Sequence, residues 1–406
     1  MSSPGTGATM VFIAFAATGI ARALVRVKRR TITSKALATL LPSTAEGIRQ
    51  GGEALRRGDL VAFPTETVYG LGANALNPKA CRDIFTTKGR PLTDPLIVHV
   101  TSTEWARALL KLTEKQRQVF DVLSKSFWPG PLTIVAKASP DVFAPEAITL
   151  LTAGTGMVGV RVPLHKEARA LIDSAKVPVA APSANRFGHV SPTSAQHVVA
   201  DLGAFPIFVM DSAETCSVGI ESTVVGFVNL DSKQCVTLFR RGGISEEQLV
   251  QVLKPLSVNI ELAPSLIRTK ESSKKVAEEE IPQIAPGQLL THYAPDNVES
   301  FLWEEDSNGF ELPHSLKDTI VVDFGGSMAR FKSKALAYRD LSSKGNVDEA
   351  CKAVFDVLRW TETVENAKAV LLPNVIQVIN QGSALALDDR LYRAASGRRV
   401  GKVGSS

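Results

Sequence analysis

The sequence predicts an α/β protein with two sheets, a large mixed open sheet and a smaller parallel one. Short apolar runs typical of buried strands alternate with segments whose apolar residues recur at helical spacing. Most of these runs are bounded by Pro or Gly. The alternation stops near residue 255 and resumes near residue 300. The interruption indicates a second, smaller α/β unit.

The first unit begins with a predicted helix over Ala45–Arg57, because its apolar residues share a face and Gly58 follows it. The apolar run Leu60–Phe63 then predicts a strand. Further helices are predicted at Pro78–Thr87, Glu104–Leu110, Glu114–Lys125, Lys166–Asp173, Ser194–Leu202 and Ser245–Leu253. Further strands are predicted at Leu96–Val100, Leu132–Ala136, Val158–Val162, Val177–Ala181, Ile207–Met210, Ser222–Val228 and Val236–Phe239. Interleaved strands and helices favour a mixed sheet covered by helices.

The second unit follows the segment Pro255 to Pro295, in which apolar residues recur at neither helix nor strand spacing. Within this segment, Lys270–Glu280 is rich in charged residues, as linkers are. Strands are predicted at Ser300–Trp303, Thr319–Phe324 and Ala369–Leu372, and helices at Ser327–Arg339, Val347–Thr361 and Ala384–Ala395. Their alternating order favours a small parallel sheet. The predicted organisation is a basic extension at 1–45, a large domain at 46–254, a linker at 255–296, a small domain at 297–396 and a basic tail at 397–406.

Composition excludes several classes of protein. Hydrophobic residues make up 44% and charged residues 21% of the chain, which argues against disorder, collagen and coiled coil. Cys81, Cys216, Cys235 and Cys351 are scattered and form no C-x-x-C. We therefore expect neither a disulfide scaffold nor a cysteine-bound zinc, and we expect a reducing compartment.

The net charge of +5 originates at the N-terminus, where six Lys or Arg precede Glu46, the first acidic residue. The rest of the chain has 40 basic and 41 acidic residues, so its net charge does not indicate nucleic-acid binding. The apolar run Met10–Ala21 is too short for a membrane span, and no membrane association is predicted. An acid-free basic start resembles a mitochondrial transit peptide; an unstructured extension or a true start at Met10 are the alternatives. We predict a cytoplasmic protein, with mitochondrial import as the alternative.

The common nucleotide-binding and hydrolase motifs do not fit. Gly154, Gly156 and Gly159 match G-x-G-x-x-G, but a strand rather than a helix is predicted after them. The chain contains no G-x-x-x-x-G-K-[ST], no G-x-S-x-G and no H-E-x-x-H. A bound triphosphate must therefore be held in another way.

Three segments rich in Pro, Gly and polar residues stand where predicted strands end, at Pro64–Gly72, Lys88–His99 and Ala180–Thr193. Ligands of open α/β sheets bind at strand ends. These segments offer an ammonium, guanidiniums, hydroxyls and an amide, a set that suits a polyphosphate. The alternative is that Lys88 and Arg90 form a solvated surface pair.

The three segments closely resemble the threonylcarbamoyl-AMP synthase family, the YrdC-like enzymes of tRNA modification. The family's signature tetrad corresponds here to Lys88, Arg90, Ser183 and Asn185. Other matching motifs are Phe127–Thr133, Val158–Pro163, Gly219–Val225, Arg240–Ile244, the linker segments Ala285–Gln288 and His292–Pro295, and the C-terminal Asp389–Leu391. The resemblance implies a YrdC-like twisted mixed open sheet with a central cleft, plus a smaller Rossmann-like α/β C-terminal domain.

The resemblance also implies an activity. The expected enzyme is a nucleotidyltransferase that makes threonylcarbamoyl-adenylate and pyrophosphate from L-threonine, bicarbonate or CO2, and ATP. Mg²⁺ would arrive with ATP, and no tightly bound organic cofactor is expected. A downstream threonylcarbamoyl-transfer enzyme would use the product to modify tRNA at position 37.

Site residues follow from the same resemblance, position by position. Catalytic roles are implied for Lys88, Arg90, Ser183 and Asn185. Threonine binding is implied for Thr67, His99, Arg161, Ala181 and Ser222, with Arg161 pairing the amino acid's carboxylate. ATP binding is implied for Arg90, Asp94, Ser183, Ser191, Arg240 and the linker's Tyr293. No metal-ligating residue is implied, and Lys88 and Arg90 are expected in an open cleft.

The chain departs from the family pattern at three positions. Met157 replaces a usual Thr or Ser, Asp94 a frequent Asn, and Arg241 a usual Pro. Three other interpretations stay open: a double-stranded RNA-binding module, a carbamoyltransferase of hydrogenase-maturation type, and an inactive homologue. The missing C-x-x-C argues against the second, and the intact tetrad argues against the third.

Overall fold

The computed structural model describes residues 37–214, 216–267, 281–288, 290, 292–306 and 309–403. Its helices are α1 (Ala45–Arg57), α2 (Pro78–Lys88), α3 (Thr103–Ala108), α4 (Glu114–Phe127), α5 (Pro145–Leu151), α6 (Lys166–Ala175), α7 (Ala195–Leu202), α8 (Leu230–Lys233), α9 (Glu246–Leu253), α10 (Val347–Thr361) and α11 (Ser383–Ala394).

The strands are β1 (Thr39–Pro42), β2 (Val61–Phe63), β3 (Gly70–Asn74), β4 (Ile97–His99), β5 (Leu132–Lys137), β6 (Met157–Arg161), β7 (Val179–Ala180), β8 (Phe208–Asp211), β9 (Thr223–Gly226), β10 (Cys235–Arg240), β11 (Asn259–Leu262), β12 (Glu299–Trp303), β13 (Thr319–Asp323), β14 (Ala337–Asp340), β15 (Ala369–Leu372) and β16 (Arg399–Val400).

Local sequence explains where the helices begin and end. The Thr44 side chain accepts a hydrogen bond from the Gly47 amide at the start of α1, and Gly58 ends that helix in the left-handed region at φ 100°. The helix α4 begins with a capping box between Thr113 and Gln116. These caps satisfy backbone groups that the helix itself leaves free.

The large sheet is mixed, as predicted. Its eleven strands stand in the order β1-β8-β2-β3-β7-β4-β6-β5-β9-β10-β11. Strands β4 and β6 run parallel, and β7 runs antiparallel to β4 on its other side. Strand ends from different parts of the chain are thereby brought to the same region of the sheet.

The small sheet has the order β14-β13-β15-β12-β16, and its recorded pairs are all parallel. Helices α10 and α11 pack on it. One hydrophobic cluster contains apolar residues of these helices together with Val68, Val190 and Ile220, which precede strands or helices of the large sheet. The two sheets therefore share a core.

Several elements differ from the sequence prediction. The helix predicted at Ser327–Arg339 is wrong: a short 3-10 turn at Ala329–Phe331 precedes β14, which pairs with β13. The carboxylate of Asp323 holds this turn by accepting from the Met328 amide at 3.0 Å. Strand β1 lies inside the predicted extension and β11 inside the predicted linker, while the charged part of that linker and residues 1–36 lie outside the described residues. The domain limits stay predictions.

Candidate active site

A cleft of about 570 Å³ opens at the ends of several strands of the large sheet. Arg161 and Arg240, which line it, are the last residues of β6 and β10. Most of the predicted site residues line this cleft: Thr67, Arg90, His99, Arg161, Ala181, Ser183, Ser222, Arg240 and Tyr293. The other four, Lys88, Asp94, Asn185 and Ser191, hydrogen-bond or pair with the lining residues from behind. The structure thus brings the whole predicted set together.

Lys88 is the last residue of α2, and Gly89, at φ 64°, turns the chain so that Arg90 points to the cleft. The Lys88 ammonium donates to the Ser183 carbonyl at 2.7 Å and to the Asn185 carbonyl. Burial lowers the pKa of Lys88 well below its usual range, and the charge of Arg90 lowers it further. An anion near this amine would therefore stabilise its charged form.

The predicted exposure of Lys88 and Arg90 is wrong, because the two residues are only 4% and 7% exposed. Ser183 donates from Oγ to Asn185 Oδ1 at 2.5 Å, so Lys88, Ser183 and Asn185 form one hydrogen-bonded cluster. A buried ammonium must satisfy its donors within the protein, and here the carbonyls of the loop surround it where solvent cannot.

Arg90 is held by the segment that follows it. Its Nη2 lies 2.9 Å from Asp94 Oδ2, its Nε donates to the Asp94 carbonyl at 3.0 Å, and its Nη2 donates to the Pro95 carbonyl at 2.7 Å. Burial raises the pKa of Asp94, and the Arg90 charge opposes that rise only in part. Asp94 therefore orients Arg90 and does not itself line the cleft.

Arg161 carries the densest set of contacts in the cleft. Its Nη2 lies 2.6 Å from Glu66 Oε1, and both Nη atoms donate to Thr67 Oγ1 at 3.1 Å. Glu66 also accepts from the Leu164 amide at 3.0 Å. Although burial would raise the pKa of Glu66, the charge and hydrogen bonds of Arg161 lower it below its usual value. The ion pair ties the loop after β2 to the end of β6.

His99 ends β4, its ring making an edge-to-face contact with Phe63 at a centroid distance of 6.2 Å. Among the described residues, its Nδ1 has no hydrogen-bond partner. Burial, together with the nearby Arg161 charge, lowers the pKa of His99 to about 3. The ring is therefore neutral at neutral pH and presents an uncharged nitrogen to the cleft.

Ser222 and Arg240 form a second polar group of the cleft. Arg240 donates from Nη2 to Ser222 Oγ at 3.0 Å and from Nε to the Ser222 carbonyl at 3.0 Å. Ser222 Oγ also lies 2.8 Å from Thr133 Oγ1. A Cβ atom at Gly242 would meet the Glu221 carbonyl oxygen at 2.4 Å, so only glycine allows this close approach of the two segments.

Glu221 connects the cleft to the C-terminal helix. Its Oε1 accepts from Ser191 Oγ at 2.7 Å, and its Oε2 accepts from Arg390 Nε at 2.7 Å. Arg390, on α11, is fully buried and also donates to the Arg241 carbonyl at 2.7 Å. Burial would raise the pKa of Glu221, but the charges of Arg390 and Arg240 lower it.

Part of the predicted linker covers the cleft. Pro286, Gly287, His292 and Tyr293 all line it. Tyr293 is fully buried; its ring lies 5.4 Å from that of Phe355 on α10, centroid to centroid. Burial raises the pKa of Tyr293 to about 12, and its hydroxyl has no partner among the described residues. The tyrosine thus lies between the cleft and the small-sheet helices.

Two of the residues that depart from the family pattern, Arg241 and Met157, lie outside the cleft wall. Arg241 pairs with Glu246 at 2.5 Å, and Met157 begins β6 with its side chain half-buried. Strand β6 follows Gly154 and Gly156 directly, as predicted, so these glycines do not open a helix.

No helix in the described part of the chain is long and apolar enough to cross a membrane.

Comparison with known proteins gives matches to both parts of the chain. The profile of a family described as "Telomere recombination" matches residues 53–242, and that of "Threonylcarbamoyl-AMP synthase, C-terminal domain" matches residues 244–396. The threonylcarbamoyl-AMP synthase of Bacillus subtilis is 33% identical over 87% of this chain and 94% of its own length. That of Pyrococcus abyssi is 34% identical over 88% and 96%.

A solved structure matches over most of the chain. The crystal structure of P. abyssi Sua5 complexed with L-threonine has a TM-score of 0.71 and 31% identity, covering 89% of this chain and 98% of that one. The fold and cleft therefore define a two-sheet α/β protein of the YrdC-like class. The chain belongs to the threonylcarbamoyl-AMP synthase family. The predicted fold class and family are confirmed.

Some site residues were not predicted. Glu66 and Glu221 each bind a buried arginine of the site, and Arg390 and His292 reach it from the C-terminal part. The sequence showed them only as members of motifs. A carboxylate next to Thr67 or Ser222, among otherwise cationic motifs, was the signal available for the two acids.

Proposed function

We propose that this chain is a threonylcarbamoyl-AMP synthase of the nucleotidyltransferase class. The threonine amine takes up CO2 and loses a proton to solvent to give a carbamate, whose oxygen attacks the α-phosphorus of ATP while the bond to pyrophosphate breaks. The observation that carries this proposal is the meeting of Arg90, Arg161 and Arg240 with the hydroxyls of Ser183 and Ser222 in one cleft. Such a reaction needs positioning and charge neutralisation more than covalent help.

We assign the nucleotide to the side of the cleft that holds Arg90, Ser183 and Arg240. Guanidiniums bind phosphate oxygens, and Lys88, behind Ser183, adds positive charge. Asp94, Asn185 and Ser191 contribute indirectly, because they contact Arg90, Ser183 and Glu221. Tyr293 covers the nucleotide.

Threonine would lie near Thr67, His99, Arg161, Ala181 and Ser222. In this arrangement the Arg161 guanidinium pairs with the carboxylate of the amino acid while Glu66 holds its orientation. The related P. abyssi Sua5 was crystallised as a complex with L-threonine, which supports this substrate. His99, next to Arg161, is neutral because its pKa is lowered. Its ring therefore places no second positive charge beside the threonine amine.

Mg²⁺ would enter as part of the ATP substrate. Glu221, which lines the cleft, is engaged by Arg390, and the carboxylates behind the cleft wall, Glu66 and Asp94, are engaged by Arg161 and Arg90. Phosphate oxygens and water are therefore the expected ligands of the ion, which would neutralise phosphate charge.

The test is to incubate the purified chain with ATP, Mg²⁺, bicarbonate and L-threonine, and to follow pyrophosphate release and the adenylate by mass spectrometry. We expect both products, and we expect their loss when threonine or bicarbonate is omitted. No turnover together with salt-dependent binding of double-stranded RNA would support the RNA-binding alternative instead.

We further propose that the adenylate passes to a threonylcarbamoyl-transfer enzyme acting on tRNA, and that the protein works in the cytoplasm, with mitochondrial import as the alternative. Fluorescent fusions with and without residues 1–45 test the location. Identical cytoplasmic signals would exclude import; a mitochondrial signal that depends on residues 1–45 would establish it.

A further inference from the structure

His189 lies behind the cleft and joins the large sheet to α10. Its Nδ1 lies 2.8 Å from Asp201 Oδ2, and its Nε2 lies 2.7 Å from Glu362 Oε1. Asp201 is on α7, and Glu362 follows α10 directly. Both ring nitrogens thus face carboxylate oxygens, so both must carry protons to make these contacts, and the ring is an imidazolium.

The charged groups around His189 also favour an imidazolium ring. Arg359 lies 3.0 Å from Asp201, and Arg186 lies 2.5 Å from Asp296, whose amide donates to Glu362 Oε1 at 2.5 Å. Three carboxylates thus face two guanidiniums, and an imidazolium at His189 balances them. Further charged groups near Asp201 are the buried Lys88 and, on α7, His197, which lies 3.8 Å from Asp356 and whose pKa burial lowers. Although burial opposes the charge of His189, the hydrogen bonds to Asp201 and Glu362 raise its pKa to about 9.

The backbone of His189 also reaches the tetrad. Asn185 donates from Nδ2 to the His189 carbonyl at 2.7 Å, and its Oδ1 accepts from Ser183 Oγ at 2.5 Å. A ring fixed on both sides fixes the carbonyl of the same residue. The position of the Ser183 hydroxyl in the cleft therefore depends, through Asn185, on the two contacts of the His189 ring.

A metal ion is the other occupant that this cluster could hold, since ligand atoms of His189, Asp296 and Glu362 lie within 4.8 Å of one another. The position is already filled: a ring nitrogen contacts Glu362 directly, and Arg186 holds Asp296. The observations therefore favour a proton over a metal.

We propose that His189 is a positioning residue for the reaction of the cleft: its imidazolium, held between Asp201 and Glu362, sets the Asn185 amide and through it the Ser183 hydroxyl. The inference rests on the proposed function. It assigns to α10 of the small-sheet part, and to Glu362 that follows it, a part in ordering the tetrad.

The test compares His189→Gln, which removes the charge, with His189→Arg, which keeps a cation, in the full-length chain. We expect His189→Gln to lower kcat about tenfold, with the KM for threonine unchanged, at a temperature well below its Tm. We expect His189→Arg to keep most of the activity. The control is His314→Gln, because His314 also pairs with a glutamate, Glu299 at 3.3 Å, but on the small sheet away from the cleft.

The pH profile separates positioning from a purely structural role. The ratio of His189→Arg to wild-type kcat is expected to be constant below about pH 8 and to rise above pH 9, because only the wild-type side chain loses its charge there. Taking the ratio cancels the titration of the threonine amine. If His189→Gln does not fold, Glu362→Gln replaces it and is expected to shift the alkaline loss of activity to lower pH.

A His189→Gln enzyme with a lower Tm but wild-type kcat, or a pH-independent ratio, would overturn the inference. In a second test the wild-type chain is treated with a chelator and Mg²⁺ is then restored. If activity returns only when zinc is also added, the cluster holds a metal ion and not a proton. A wild-type chain that releases no pyrophosphate would refute the proposed function instead, so the two failures can be told apart.

Discussion

Arg390 Nε lies 2.7 Å from Glu221 Oε2, although the two residues are 169 positions apart in the sequence. One belongs to the last helix and the other lines the cleft of the large sheet. The guanidinium also lies 5.3 Å from the centre of the Tyr293 ring. A single side chain thus contacts the cleft wall, the covering segment and the C-terminal helix.

Replacing Arg390 by Met is expected to lower both stability and activity. Removing one partner of a buried ion pair costs about 3–5 kcal/mol, because Glu221 is left buried without its counter-charge. Urea unfolding measures the loss, and pyrophosphate release measures the activity. The control Arg339→Lys alters an exposed arginine that stacks on Trp360 at 4.2 Å, and it is expected to leave activity unchanged and to cost at most about 1 kcal/mol of stability. Wild-type stability in Arg390→Met would contradict the importance of this pair.

Lys88→Met and Arg90→Met are expected to abolish most activity and also to destabilise the fold. Each leaves buried carbonyl oxygens without a donor, at a cost of about 1–3 kcal/mol for each unsatisfied group. Loss of a charged phosphate interaction would lower kcat/KM by a factor that corresponds to about 2–4 kcal/mol of transition-state stabilisation. Thermal unfolding and pyrophosphate release measure the two effects separately. Near-wild-type turnover in both variants would remove these residues from the nucleotide site.

Arg161→Lys is expected to raise the KM for threonine more than that for ATP, because an ammonium keeps the charge but loses the planar fork. Steady-state kinetics with each substrate varied in turn measure the two constants. The control is Lys166→Arg, an exchange of the same two residue types on the surface of α6, which is expected to leave both KM values unchanged. Equal changes in the two KM values would contradict the assignment of Arg161 to threonine and would place it in the nucleotide site.

Glu66→Gln is expected to destabilise the chain at neutral pH and much less in acid. The pKa of Glu66 is lowered in the folded state, so its contribution is present above about pH 4.5, the usual glutamate value, and is lost as the pH falls through the folded pKa. Unfolding curves of wild type and variant at several pH values test this. A difference in stability that grows towards low pH would contradict the lowered pKa.

Tyr293→Phe and Tyr293→Ala separate the ring from its hydroxyl. We expect Tyr293→Phe to stay close to wild type in stability, because the hydroxyl has no partner among the described residues, and Tyr293→Ala to lose about 3–5 kcal/mol by opening a cavity. If the segment covers bound nucleotide, Tyr293→Ala also hydrolyses more ATP for each adenylate made. An unchanged ratio of product to ATP consumed would contradict a covering role.

The predictability of each element depended on how local its determinants are. The bounds of α1 and α10 follow from capping residues and a clear apolar face, and both were predicted at the observed residues. Strand β3 carries two glycines and is buried on both faces, so it shows no alternation. The contact of Arg161 with Glu66 spans 95 residues and depends on the arrangement of the strands. Such long-range pairs leave no periodic signal, which is why Glu66 and Glu221 were not predicted.

The hydrophobic cluster shared by the two sheets has a consequence for the chain during its synthesis. Val68, Val190 and Ile220 are made long before α10 and α11, which cover them. While the ribosome is still adding the C-terminal part of the chain, these side chains face water, and the cleft lacks Tyr293 and Arg390. An unfinished chain therefore exposes an apolar surface that a chaperone can bind until the final helix emerges.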